Sequence, residues 1–188
     1  MVSDCPSRRR DSVARSSTMS PPTPDPELDA ITRALLRTGA RFVVIGGFAV
    51  IAHQYVRATQ DVDLLVPAED DENDRLLEQA LSGLNAVWAH DGSPLQGRAL
   101  TGREHARLLT SHGLVDILRE GAPPLDFATV AAGAEQADLG DGRFLIAGLR
   151  SLVSFKRLAG RPRDRLDLEE LRALHGELPI ESVPGLDD

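Results

Sequence analysis

The fold of this 188-residue chain is decided by the stretch IGGFAVIAHQYVRATQDVDL, residues 45–64. An apolar run over 42–45 predicts a buried strand, Gly46-Gly47 breaks it, and residues 49–55 suit a helix that leaves the break. Backbone N–H groups are free at such a helix start, and without Cβ atoms a phosphate can approach the chain closely. The alternative interpretation of Gly46 and Gly47 is an ordinary tight turn.

Two acidic residues open the next predicted strand, 61–66. Alternate strand residues share a face, so Asp61 and Asp63 should project together, roughly 6.6 Å apart. Two unpaired carboxylates at this spacing repel one another, and a divalent cation removes the repulsion. Oxygen ligands select Mg²⁺ or Mn²⁺, and such a pair can bridge two metal ions, the arrangement used for phosphoryl transfer. The alternative is a solvent-facing strand whose two acids bind nothing.

A third carboxylate, Asp116, lies inside the apolar run 114–118. Burying a carboxylate costs free energy unless it is paired. A metal ion shared with the first two aspartates would be such a partner. Pairing with Arg119, or exposure at the end of the strand, is the alternative.

Periodicity and turn residues predict the remaining elements. The predicted helices run from Leu28 to a stop at Gly39, and over 70–81, 125–131, 149–158 and 164–174. The other predicted strands are 84–89, a hairpin of 105–111 with 114–118, and a small pair around Asp141-Gly142. This order predicts an α/β (α+β) fold with a small mixed β-sheet flanked by helices and with helices at its C-terminal end.

Composition divides the chain and excludes several functions. Residues 1–26 are rich in Arg, Ser and Pro and predict a disordered N-terminal tail, followed by one domain over 27–176 and a loose tail over 177–188. The longest near-apolar run, 42–52, is about half the roughly 20 residues of a membrane helix, so no membrane partner is expected. A single cysteine, Cys5, fits a reducing cytoplasmic setting. The net charge of −8 argues against a duplex-DNA binder.

The only lysine, Lys156, stands in a basic segment. Residues 143–165 hold six Arg, Lys156 and one acid, Asp164. Such a segment favours a binding face for a phosphate-rich substrate, with a solvated Arg-rich helix face as the alternative. A compact ammonium at Lys156 can reach a triphosphate or a developing charge.

Together these motifs resemble the nucleotidyltransferase fold related to DNA polymerase β. Its pattern is an apolar residue, Gly, Gly or Ser, 9 to 13 residues and then Asp-x-Asp; here 13 residues separate Gly47 from Asp61. Residues 149–169 look like the closing segment of bacterial AbiEii-type toxin nucleotidyltransferases, and the resemblance spans roughly 28–175. Gly47 stands where many members have Ser, and Arg163 where a second Lys is frequent.

The resemblance implies an enzyme that transfers a nucleoside monophosphate from an NTP to an acceptor hydroxyl of RNA or tRNA, or of a protein, within a toxin–antitoxin pair. It implies two Mg²⁺ ions, or Mn²⁺, and a cognate antitoxin as partner. The implied catalytic residues are Asp61, Asp63, Asp116 and Lys156, of which the three aspartates are the metal ligands. The implied nucleotide-binding residues are Gly46, Gly47, Arg57, Thr59 and Lys156.

Two other functions are alternatives. One is a non-catalytic nucleotide- or partner-binding module on the same fold. The other is a small-molecule nucleotidyltransferase that modifies an antibiotic such as an aminoglycoside. The second would favour an acidic pocket for a cationic drug, and the basic 143–165 segment argues against it.

Overall fold

The computed structural model describes residues 25–97, 99–120 and 122–187. Nearly all of the predicted 1–26 tail, including Cys5, lies outside this part of the chain. The helices are α1 (Leu28–Thr38), α2 (Gly46–Ala52), α3 (Asp71–Ser82), α4 (Phe127–Ala132), α5 (Leu149–Ala159) and α6 (Pro162–His175). The strands are β1 (Val43–Val44), β2 (Asp61–Leu65), β3 (Val87–Trp88), β4 (His105–Thr110), β5 (Gly113–Leu118), β6 (Glu135–Asp138) and β7 (Arg143–Ile146).

These strands form one seven-stranded sheet in the order β3-β4-β5-β2-β1-β7-β6. The central strand β2 runs parallel to β5 and antiparallel to β1, and β7 runs parallel to β1. The β4–β5 hairpin is antiparallel, as its sequence predicts. The predicted α/β fold with a mixed sheet flanked by helices is confirmed.

Strand register creates a polar row across the middle of the sheet. Asp63 on β2 lies opposite Asp116 on β5, and Asp116 lies opposite Arg107 on β4. Side chains directly opposite in neighbouring strands share a face, so these groups stand side by side. The intervening residues Val62 and Leu64 are fully buried in the core on the other face. The alternation on β2 therefore places the acidic side chains on one face of the sheet and the core side chains on the other.

Two helices begin earlier than their sequence patterns suggested. Helix α2 begins at Gly46, so both glycines lie in its first turn and not in a turn before it. Helix α6 begins at Pro162, which suits a first helical position because its missing N–H has no partner to lose there. Asp164 and Asp167 consequently lie within α6, where Asp164 accepts a hydrogen bond from the Arg161 backbone N–H at 3.2 Å.

The predicted strand over 84–89 is shorter in the structure, where β3 holds only Val87 and Trp88. The Leu84 N–H bonds to Leu81 O and continues the end of α3. Asn85 has a φ of 57°, in the left-handed region, so extended backbone begins only after it.

Residues 177–187 contain no helix or strand but lie against α5. Arg157 donates to Glu181 O at 2.8 Å, Arg150 pairs with the Glu181 carboxylate at 3.0 Å, and Val183 is buried. Among the described residues, no helix is both long and apolar enough to cross a membrane.

Candidate metal and nucleotide site

Three carboxylates converge on the polar face of the sheet. One oxygen from each of Asp61, Asp63 and Asp116 lies within 4.8 Å of the others. Two of them are two residues apart on β2, and the parallel register of β5 brings the third alongside. We call these three residues the acidic row. Their spacing allows oxygen atoms from separate strands to bind the same cation.

The acidic row is partly desolvated, and its charges repel one another. Burial, and then the charges of Asp61 and Asp116, raise the pKa of Asp63 to about 6. Burial also raises the pKa of Asp116, although Arg107 opposes the shift. The buried Asp116 Oδ1 accepts no hydrogen bond from the described residues, and His105 Nε2 lies 3.6 Å from it. Hard oxygen donors, excess negative charge and an unpartnered buried oxygen fit a divalent cation.

The two glycines let β2 approach α2. A Cβ at Gly46, where φ is 62°, would overlap Asp63 Oδ2, and a Cβ at Gly47 would overlap Thr59 Oγ1. The Gly47 backbone N–H also bonds to the Asp63 carboxylate. The absence of side chains at Gly46 and Gly47 therefore leaves the space that Asp63 and Thr59 occupy. The same contact gives a structural reason for Gly at position 47, where the resembled family often has Ser.

Lys156 belongs to a buried ion-pair network. Its Nζ lies 2.7 Å from Asp164 Oδ1 and 2.8 Å from Asp167 Oδ2. Asp167 also binds Arg57, with 2.8 Å between Arg57 Nε and Oδ1 and 3.0 Å between Nη2 and Oδ2. We call these four residues the Lys156 network. It joins α5 and α6 to the segment before β2, and its two cations match its two carboxylates.

The side chain that pairs with Asp116 is not Arg119, the alternative to a metal ion that the sequence suggested. Arg107 Nη1 lies 3.0 Å from Asp116 Oδ2, and Arg107 Nη2 lies 3.2 Å from Asp61 Oδ2. Arg119 instead forms a buried pair with Asp74. The physical reason is the strand period, because positions 116 and 119 are an odd number of residues apart and so face opposite sides of the sheet. The suggested pairing of Asp116 with Arg119 is therefore wrong.

A cleft of about 360 Å³ contains most of the predicted site residues. Its lining includes Gly47, Arg57, Thr59, Asp61, Asp63, Asp116 and Lys156, together with His105, Arg107, Arg161, Arg163 and Asp164. Gly46 does not line the cleft but supports Asp63 from behind. Sequence reasoning missed His105 and Arg107. The signal that points to them is their alternation on β4, which the hairpin places across from Asp116.

The basic segment 143–165 does not form one face. Arg161 and Arg163 line the cleft, where Arg163 also donates to Ala58 O. Elsewhere in the segment, Arg150 pairs with Glu181 and Arg157 with Asp187. Distant acids thus neutralise part of a run that is uniformly basic along the sequence.

No family model and no curated protein matches this chain. Among solved structures, the chain is similar to ANT(2")-Ia in complex with adenylyl-2"-tobramycin, with 16% sequence identity and a TM-score of 0.48. The similarity covers 77% of this chain and 90% of that chain. At this identity and TM-score, the likeness identifies neither a family nor a substrate for this chain.

Proposed function

We propose that this protein is a metal-dependent nucleotidyltransferase that transfers a nucleoside monophosphate from an NTP to an acceptor hydroxyl. The observation that carries the proposal is the convergence of Asp61, Asp63 and Asp116 within 4.8 Å in a cleft that also presents cationic side chains. Excess negative charge on one wall suits divalent cations, and cationic side chains on another suit phosphates.

The acidic row would hold two Mg²⁺ ions, for which Mn²⁺ can substitute. When bound, these ions neutralise charge on the transferring phosphate and on the leaving group. The carboxylates of Asp61 and Asp63 come from one strand and are held in register by β5. Arg107 would have to release Asp61 and Asp116 before all three carboxylates could bind metal ions. Asp116 Oδ1 accepts no hydrogen bond from the described residues, so a metal ion can compensate its charge.

The donor nucleotide would lie at the α2 and α6 end of the cleft. Gly47, Thr59 and Arg163 line this end and are assigned to its phosphates. Lys156 lies close enough for its charge to lower the pKa of Asp63, although burial keeps that pKa raised overall. Arg57 lines the cleft but also holds Asp167, so we assign it to positioning the Thr59 segment beside the nucleotide.

We assign the acceptor hydroxyl to RNA, tRNA or a protein side chain, and the biological setting to a cytoplasmic toxin–antitoxin pair. The support for this setting is the resemblance of residues 149–169 to the closing segment of AbiEii-type toxins. A cognate antitoxin would then be the protein partner.

The test is transfer of label from each α-³²P-labelled NTP to total RNA in the presence of Mg²⁺ or Mn²⁺. The wild type should label RNA and release pyrophosphate, and Asp63→Ala should not. Asp138→Ala is the matched control, because that aspartate is exposed on β6 and pairs only with the exposed Arg143 among the ion pairs of the described residues. Equal labelling by wild type and Asp63→Ala would overturn the proposal.

One observation favours a second candidate, a non-catalytic nucleotide-binding module. The Arg107 guanidinium already bridges Asp61 and Asp116 and neutralises part of the acidic row without a metal ion. Such a module would bind an NTP without releasing pyrophosphate. Measuring nucleotide binding and pyrophosphate release on the same preparation separates the two functions.

A further inference from the structure

A second cavity of about 510 Å³ adjoins the cleft. His105 and Arg107 on β4 line both spaces. The rest of the second cavity is formed by Trp88, His90 and Arg103 with apolar residues of the hairpin. Neither the predicted site residues nor the roles proposed above account for it.

The position of this cavity places it across the acidic row from the donor end. In the sheet, β4 and β3 lie on one side of the β5–β2 pair, and β1 lies on the other. Helix α2, which follows β1, contributes Gly47 to the donor end. A group bound beyond β5 would therefore approach the acidic row from the side opposite the NTP. In-line displacement at a phosphorus atom requires the attacking and leaving oxygens to lie on opposite sides.

The lining of the cavity suits an anion that carries a planar ring. Its described lining residues include two Arg, two His and no carboxylate, in a protein whose net charge is −8. Arg103 Cζ lies 4.6 Å from the centre of the Trp88 ring, and its Nε donates to Ala99 O at 2.8 Å. Stacked arginine and aromatic side chains are surfaces on which single-stranded nucleotides stack while their phosphates meet positive charge.

The same lining disfavours a polycationic acceptor. An aminoglycoside would have to place its ammonium groups beside Arg103 without a carboxylate from the described lining to receive them. Exposed His90 lies 3.3 Å from Asp91, but Asp91 itself does not line the cavity.

We propose that this second cavity, here called the acceptor pocket, holds the end of an RNA strand whose hydroxyl receives the nucleotide. The inference rests on the proposed function. In the transfer, the hydroxyl oxygen bonds to the α-phosphorus while the bond from that phosphorus to the bridging oxygen breaks. Pyrophosphate leaves with the electron pair, and the hydroxyl proton passes to water.

The chain provides its own probe, because Trp88 is its only tryptophan. A short single-stranded oligoribonucleotide is titrated into the full-length protein in EDTA, without NTP, while tryptophan fluorescence is recorded. We expect a saturable change in fluorescence. With about two phosphate contacts, affinity should fall about sevenfold between 50 and 200 mM salt.

Two variants test the lining. Arg103→Gln should weaken binding of the oligoribonucleotide at least tenfold, whereas Arg33→Gln, which removes the same charge from a partly exposed position on α1, should not. Because Arg103 also ties Ala99 in place, His90→Glu is the second variant. Its side chain is 71% exposed, so the substitution adds a negative charge with little effect on packing and should also weaken binding. Thermal melts check that each variant is folded.

The outcomes separate the acceptor pocket from the proposed function. Binding in EDTA that Arg103→Gln and His90→Glu abolish, without any transfer when NTP and metal are added, supports the pocket and refutes the enzyme. Transfer to RNA with an unchanged KM for RNA in both variants refutes the pocket and leaves the enzyme intact. A fluorescence change with tobramycin but none with RNA also refutes the pocket.

Discussion

The acidic row and the Lys156 network are two clusters of buried or half-buried charge that share one cleft but differ in balance. In the network, Asp164 and Asp167 meet Lys156 and Arg57 at 2.7–3.0 Å. In the acidic row, three carboxylates meet a single guanidinium, that of Arg107. When all three are ionised, two negative charges remain uncompensated.

This difference in charge balance indicates that the Lys156 network stabilises the fold and that the acidic row is suited to binding a cation. Matched charges with short contacts stabilise a local arrangement once they are buried, because removing one partner leaves the other uncompensated. Burial, together with the unmatched charges, raises the pKa of Asp63 and destabilises the ligand-free protein. A cation then gains from relieving that repulsion. Substitutions in the acidic row should therefore lower activity but raise stability, whereas substitutions in the Lys156 network should lower stability.

The largest effect is expected on catalysis at Asp63. Asp63→Asn keeps the shape of the side chain but removes a metal ligand, so label transfer should fall at least about 10³-fold, a loss of about 4 kcal/mol in transition-state stabilisation. Initial rates of α-³²P incorporation measure it. A rate within tenfold of wild type would mean that the acidic row is not the catalytic centre.

The largest effect on stability is expected in the Lys156 network. Asp167→Asn leaves Lys156 and Arg57 short of one negative charge in a buried site, so the free energy of unfolding should fall by about 3 kcal/mol or more. Urea denaturation measures the change. Glu72→Gln is the control, because its pair with Arg75 lies exposed on α3 and should contribute little to stability.

The next largest effect is expected in the pH dependence of stability, which Asp63 of the acidic row should dominate. The pKa of Asp63 is about 6 in the folded protein and 3.8 ordinarily, so folding favours the protonated carboxyl. The stabilisation that the protonated Asp63 carboxyl gives the folded protein is fully present below pH 3.8. It is lost as pH rises through 6, by at most about 3 kcal/mol. Asp63→Asn should remove this loss and be more stable than wild type at pH 7. Equal stabilities of the two proteins at pH 7 would contradict the unmatched-charge interpretation.

A divalent metal ion should restore the stability that the wild type loses at pH 7 through the ionised Asp63. Without NTP, Mn²⁺ at one hundred times its Kd should stabilise the folded protein by about 2.7 kcal/mol, seen as a higher Tm. The gain should shrink below pH 6, where protons compete for Asp63. Asp63→Asn should show little gain, while Asp167→Asn, destabilised but with an intact acidic row, should retain it. An equal rise in Tm for all three proteins would indicate metal binding elsewhere.

The smallest effect is expected where the two clusters meet. Thr59 packs on Gly47 beside the acidic row, and Arg57 belongs to the network. Gly47→Ala should cost about 1–2 kcal/mol, because its Cβ would overlap Thr59 Oγ1 and lie 2.8 Å from Thr59 Cβ. In a Thr59→Gly background, which lacks the overlapping side chain, Gly47→Ala should cost much less stability than it does in the wild type. A double-mutant cycle measured by urea denaturation gives the coupling.

Local periodicity carried much of the prediction of this fold. The apolar spacing in α1, the alternation of acids and apolar residues on β2, and the hairpin signal at 112–113 all depend on neighbours within a few residues. Such patterns fix which face a side chain occupies, since helices and strands have fixed periods. The inward or outward direction of each residue on β2 follows from them.

Charge pairing did not follow from local pattern. Asp116 has Arg119 nearby in sequence, but strand register pairs it with Arg107. Lys156 lies in a basic run, but the packing of α5 on α6 gives it two carboxylates. An ion pair depends on which elements meet, and sequence distance says little about that.

The sequence by itself determined that two acids would share one face of a strand beside a diglycine, because the strand period and the absence of Cβ atoms are local properties. Only the tertiary structure decided that β5 would add Asp116 to them and that the β3–β4 edge would open a cationic cavity alongside. Those outcomes depend on strand order and register, which long-range packing selects and which no short window of residues contains.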